Sequence, residues 1–274
     1  MEDLNAAGDS QTHMMGDPDG IAAFARIDEA IYVALPHAAA PFSGVQGGAV
    51  AGLMASKIER AAPEGFQPLS IRADFLRPTP LGEQLTVSVA PLQIGRRSAL
   101  FEASVSAQGR QTARATMSLV LPAPVARLEA DFQLPAAPPF PDLESLPRRK
   151  TGPAPHGGPW LMDIFDTRQS EDGRMWFRWT LPLLPDGEGT PFAHAVGPAD
   201  WAHGIARPGF PGPIPIACPN VEVSVHADRL PEGEWIGLAS SGCWRTDGKG
   251  LGYAALFDSK GGFGLVAMGV VLSG

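Results

Sequence analysis

Residues 71–85 read IRADFLRPTPLGEQL, and residues 221–236 read VEVSVHADRLPEGEWI. Each is a β-patterned run, a proline, a small turn ending Gly-Glu, and a second β-patterned run. Ile71 aligns with Val221, Phe75 with Val225, Gly82 with Gly233, Phe101 with Tyr253 and Gly109 with Gly261, so the offset drifts only from 150 to 152. Repetition at this spacing marks a duplicated supersecondary unit, so a chain of this kind folds as one unit written twice.

The first copy opens on DEAIYVAL (28–35), read as a strand or a strand with a bulge. FSGVQGGAVAGLMASKIERAAPEG then reads as a glycine-entered helix over 47–61, with Val50, Leu53, Met54, Lys57, Ile58 and Ala61 at helical spacing. Gly47, Gly48, Gly52 and Ala55 thin one side of it, which suits a buried helix lying close to another backbone. LSIRADFLR, EQLTVSVAPLQ, RSALFEASVSAQ and QTARATMSLVL follow as antiparallel strands joined by PLGE, GR and QG turns. Residues 122–159 are dense in proline and read either as an extended linker or as disorder. Beyond them come a hairpin in WLMDIFDTRQSEDGRMWFRWTLPL, a shorter helix at roughly 198–206, and strands in NVEVSVHA, EWIGLASSGCW, GLGYAALFDS and GLVAMGVVL. The expected organisation is a tail (1–20), an N-terminal unit (21–121), the linker (122–159) and a C-terminal unit (160–274). The two units are expected to share one continuous antiparallel sheet.

The net charge of −8, with 21 scattered Lys and Arg, argues against nucleic acid as a partner. Cys218 and Cys243 form no CxxC and the histidines form no HExxH, so neither a metal site nor a disulfide framework is expected. No apolar run is long enough to span a membrane, and MEDLNAAGDSQTHMMGDPDG lacks the apolar core of a secretory signal. A cytoplasmic location is the expectation.

Three stretches carry a family resemblance. Gly47-Gly48-Ala49-Val50-Ala51-Gly52 looks like a GGxVxG helix entry and Phe75-Leu76-Arg77-Pro78 like an FLRP motif. Trp176-Phe177-Arg178 with Pro182-Leu183-Leu184-Pro185-Asp186 looks like a WxR…PLPDD segment leading to an Asp matched by Asp200. In this order and spacing they resemble the acyl-CoA thioesterase II and thioesterase-like superfamily. That resemblance implies an α+β double hotdog, two antiparallel sheet units each wrapped around a central helix. It implies an acyl-CoA substrate, coenzyme A entering only as part of that substrate with no separate cofactor, and a homo-oligomer that is a dimer of double hotdogs.

Thioester hydrolysis needs a positioned water, a base, and donors aimed at the oxygen that becomes negative. Asp200 is the base candidate, with N-capping as its alternative. Gly47 and Gly48 at a helix N-terminus suit carbonyl polarisation, or only close packing. The resemblance places Cys218 where relatives carry a Ser or Thr, Val271 where they carry a Gln, and Ala49 where some carry another Gln. Asn220 or Gln46 is then expected to supply the missing amide, with Asn220 as partner to Asp200. Arg77, Arg96 and Arg97 are candidates for the phosphates of coenzyme A. His226, Trp176, Trp179, Trp201 and Trp235 read as packing residues. The competing functions are a non-catalytic acyl-thioester binding protein and, ranked last, a hotdog dehydratase pairing His194 with Asp200.

Overall fold

The computed structural model describes residues 22–125, 130, 138–149, 154–185, 187, 189–210 and 217–272. The tail (1–20), Asp186 and parts of the linker lie outside them. The described chain builds twelve strands and three α-helices in the order β1 (Phe24–Asp28), β2 (Ile31–Ala34), α1 (Gly47–Ala61), β3 (Gln67–Phe75), β4 (Gln84–Ile94), β5 (Ser98–Ala107), β6 (Arg110–Val120), β7 (Phe165–Gln169), β8 (Met175–Trp179), α2 (Pro191–Ala199), α3 (Ala202–Ala206), β9 (Glu222–Ala227), β10 (Trp235–Trp244), β11 (Lys249–Asp258) and β12 (Gly261–Val271). The strand expected at 28–35 is β2, and β1 precedes it as the other arm of a hairpin. Asp28 Oδ1 accepts from the Glu29 N–H at 2.7 Å and turns the chain, so Arg26 pairs with Tyr32 and Phe24 with Ala34.

All twelve strands form one antiparallel sheet, in the order β1-β2-β4-β5-β6-β3-β9-β12-β11-β10-β8-β7. Read from either end, the order is the same once the second copy is mapped onto the first. The halves meet where β3 pairs β9, with Ile71 opposite Val225 and Ala73 opposite Val223. Ala73 and Val223 are also equivalents in the repeat, so an approximate twofold axis runs through that pair. Repeat-related glycines share their geometry too. Gly82 and Gly233 have φ of 71° and 85°, and Gly109 and Gly261 have 71° and 115°, all in the left-handed region that favours glycine.

Helix α1 packs on β3 to β6 and α3 on β10 to β12, while α1 and α2 cross each other. Small residues permit that crossing. A Cβ on Gly48 would stand 2.6 Å from the Gly197 carbonyl oxygen, and one on Gly52 would stand 2.6 Å from Leu183 Cδ2 and 3.1 Å from the Ala193 carbonyl oxygen. FAHAVGPADWAHGIARPG reads as one shorter helix interrupted at its start; it is two helices, α2 and α3, of which the first begins at Pro191, before the expected residue 198. Thr190 caps α2 through its side chain, and Pro191 occupies the first turn, where its missing N–H is harmless. Pro198 therefore lies inside the helix and cannot donate to the His194 carbonyl. The indole Nε1 of Trp179 donates to that carbonyl instead, at 2.9 Å. After Asp200 the chain restarts as the short α3.

Residues 138–149 run beside the end strand β7. The Arg149 N–H donates to the Thr167 carbonyl at 2.7 Å, the Thr167 hydroxyl donates to the Arg149 carbonyl, and Leu143 is buried against Trp176 and Trp235. This covers part of an edge that would otherwise offer unpaired backbone groups.

Candidate active site

Helix α1 starts with its first N–H groups unpaired, as every helix does. Gln46 is its N-cap: Oε1 accepts from the Ala49 N–H at 3.0 Å. The same amide extends its Nε2 to Asp200 Oδ2 at 2.5 Å. The Gly48 N–H donates to that oxygen as well, at 3.0 Å. Asp200 follows the C-terminus of α2, so its carboxylate meets the positive end of another helix rather than capping its own. On the other side Asn220 Nδ2 donates to Asp200 Oδ1 at 2.7 Å and to the Glu222 carbonyl at 3.2 Å.

Asp200 is 1% exposed. Burial pushes its carboxyl above the ordinary range, opposed by the nearby His203 charge and by the hydrogen bonds from Asn220, Gly48 and Gln46. A carboxylate has about four lone-pair positions. Gln46 and Gly48 occupy two on Oδ2 and Asn220 one on Oδ1, which leaves one on Oδ1.

These groups border a cavity of about 530 Å³. Its wall includes Phe42, Val45, Val50, Phe75 and Val221, so it is largely apolar around one buried carboxylate. The FLRP segment builds one side. Phe75 lies where a Cβ on Gly47 would collide with its ring, Arg77 and Pro78 line the cavity, and the Thr79 carbonyl accepts from the Val45 N–H at 2.8 Å, holding the loop that leads into α1. The Gly47 N–H has no partner among the described residues, whereas that of Gly48 is directed at Asp200.

Of the residues expected to form the site, Asp200, Asn220, Gln46, Gly47, Gly48, Cys218 and Arg77 all border this one cavity or bond a residue that does. Cys218 is buried, and that burial raises its thiol pKa, with the Arg207 charge opposing. Arg77 is exposed and donates to the Gln111 carbonyl. Val271 is 49% exposed at the end of β12 and has no place at the cavity, nor does His226, which is exposed on β9 opposite Ser70. His194 contacts Trp179 and lies outside the cavity wall, so it does not pair with Asp200 there. Trp176 is buried in the core and Arg178 stacks over Trp235 and bonds Asp166, so the WxR segment braces the C-terminal half. The sequence reading missed His203. Its spacing of three from Asp200, which brings both to one side of a helical turn, was the available signal.

The model of the acyl-CoA thioesterase N-terminal domain matches residues 36–120, and that of the acyl-CoA thioesterase C-terminal domain matches residues 122–269. The chain belongs to the acyl-CoA thioesterase family. No curated protein matches it in sequence. Among solved structures, a protein of Novosphingobium aromaticivorans named as a thioesterase is 21% identical, with a TM-score of 0.71 over 92% of this chain and 99% of that one. The acyl-CoA thioesterase II TesB2 of Mycobacterium marinum is 16% identical, with a TM-score of 0.66 over 93% and 98%. A hot dog protein of Alicyclobacillus acidocaldarius is 18% identical, with a TM-score of 0.67 over 94% and 98%. At these identities the likeness establishes the α+β double hotdog fold of this thioesterase-family chain.

Proposed function

We propose that the protein hydrolyses acyl-CoA, or a related acyl thioester, to a carboxylic acid and a free thiol. The observation that carries this reading is the Asp200 carboxylate, buried, fixed by three donors, and left with one acceptor position beside an apolar cavity. Asp200 takes a proton from a water held at Oδ1, and the water oxygen bonds to the thioester carbonyl carbon. The oxygen that becomes negative is met by the Gly47 N–H at the positive end of α1. The C–S bond then breaks and the proton on Asp200 passes to the departing thiolate. Arg77 at the cavity rim suits the phosphates of coenzyme A. Gln46 and Asn220 hold Asp200, and Cys218 contributes wall rather than chemistry.

No helix among the described residues is long and apolar enough to cross a membrane. We place the reaction in the cytoplasm and the working unit as a dimer of double hotdogs. A non-catalytic acyl-thioester binding module is the second reading, favoured by the position of Val271 outside the cavity. Turnover of a panel of acyl-CoA esters separates the two. Asp200→Asn should lower kcat by about 10²- to 10⁴-fold. Equal turnover in wild type and variant would remove Asp200 from the mechanism. Binding without turnover in the wild type would move the protein to the second reading.

A further inference from the structure

His203, on α3, borders the same cavity as Asp200, Asn220 and Gly47. Its Nδ1 lies 2.8 Å from the Asp200 backbone oxygen and 3.0 Å from Met268 Sδ. A carbonyl oxygen only accepts, so Nδ1 carries the hydrogen, and in the neutral form of the ring Nε2 is the acceptor. Nε2 has no partner among the described residues. His203 lines the cavity wall, and burial disfavours the charged form of its ring, with the Asp200 charge opposing.

The attacking water has two hydrogens. One goes to the single acceptor position left on Asp200 Oδ1, and the other needs a second acceptor if the water's lone pair is to face the carbonyl. Both amide hydrogens of Asn220 are already committed, to Asp200 and to the Glu222 carbonyl. Asn220 is thereby fixed as a holder of the carboxylate, and its Oδ1 is the rival acceptor.

We propose that His203 Nε2 accepts a hydrogen bond from the attacking water and orients it while Asp200 takes the proton. The proposal rests on the thioesterase reading given above. Two near-isosteric variants separate the ring nitrogens. His203→Asn retains a donor in place of Nδ1 and removes Nε2; His203→Gln retains an acceptor in place of Nε2 and removes Nδ1.

The experiment measures kcat and KM of wild type and both variants on acetyl-, octanoyl- and palmitoyl-CoA, with thermal melting as the check on folding. His203→Asn should lose about 10- to 100-fold in kcat at unchanged KM, the scale of a misplaced reactant, while His203→Gln keeps most of its activity. A wild-type rate in His203→Asn, or a loss in His203→Gln as large as that in His203→Asn, overturns the proposal and leaves the thioesterase reading standing. A wild type inactive on every ester overturns both.

Discussion

Gln46 Nε2 donates to Asp200 Oδ2 at 2.5 Å, across 154 residues of sequence. One amide thus caps α1 with its oxygen and holds the buried carboxylate with its nitrogen. Gln46→Glu would set two carboxylates face to face, and one of them would hold a proton in the folded state. A raised folded pKa gives stability that is present at low pH and lost as pH rises through it. Thermal melting of Gln46→Glu should therefore fall more steeply than wild type between pH 5 and 8. Parallel curves would show that the two side chains are not in contact.

Asn220→Ala removes a donor that lowers the Asp200 pKa, so that pKa should rise further. Asp200 must be ionised to act as a base. The acid limb of kcat/KM should consequently move to higher pH in the variant, with a smaller loss at the plateau than Asp200→Asn shows. A pH–rate profile with an unmoved limb would contradict the bond.

Glu59, late in α1, accepts a hydrogen bond from the Thr190 hydroxyl that caps α2. Burial raises its pKa from 4.5 to about 7, with the Thr190 bond opposing. The folded protein thus holds a proton here that the unfolded chain releases. The associated stability is complete below pH 4.5 and is lost as pH rises through 7. Because Gln retains the acceptor oxygen, Glu59→Gln should gain on the order of 2 kcal/mol relative to wild type on moving from pH 5 to pH 8. Urea unfolding at the two pH values measures this directly.

The outer face of the C-terminal half of the sheet exposes Leu251, Tyr253 and Leu265 on β11 and β12. A dimer that buries this face should be seen by light scattering at micromolar concentration, and Leu265→Lys should shift it to monomer. A monomeric wild type would refute the assembly.

Periodicity and repetition made much of the fold readable. The α1 stripe and the paired turn glycines are local signals, and the 150-residue offset foretells which strands are equivalent. The start of α2 was not readable in that way. Pro198 looks like a helix opening until Trp179, reaching across from β8, is seen to donate to the carbonyl that the proline leaves unserved. At the site, Asp200 and Asn220 could be named from the family motif. That Gln46 is bonded to Asp200 depends on how α1 packs against α2, which no local pattern encodes, whereas the place of His203 beside Asp200 follows from their spacing of three.

The carboxylate of Asp200 belongs to the second half of the chain, but two of its three anchors, Gln46 and Gly48, belong to the first. Neither half holds a complete site. A chain severed between β6 and β7 would therefore yield two silent fragments, and turnover would return only when they rejoined along the β3–β9 seam. The bonds to Asp200 thereby report whether the two halves are docked.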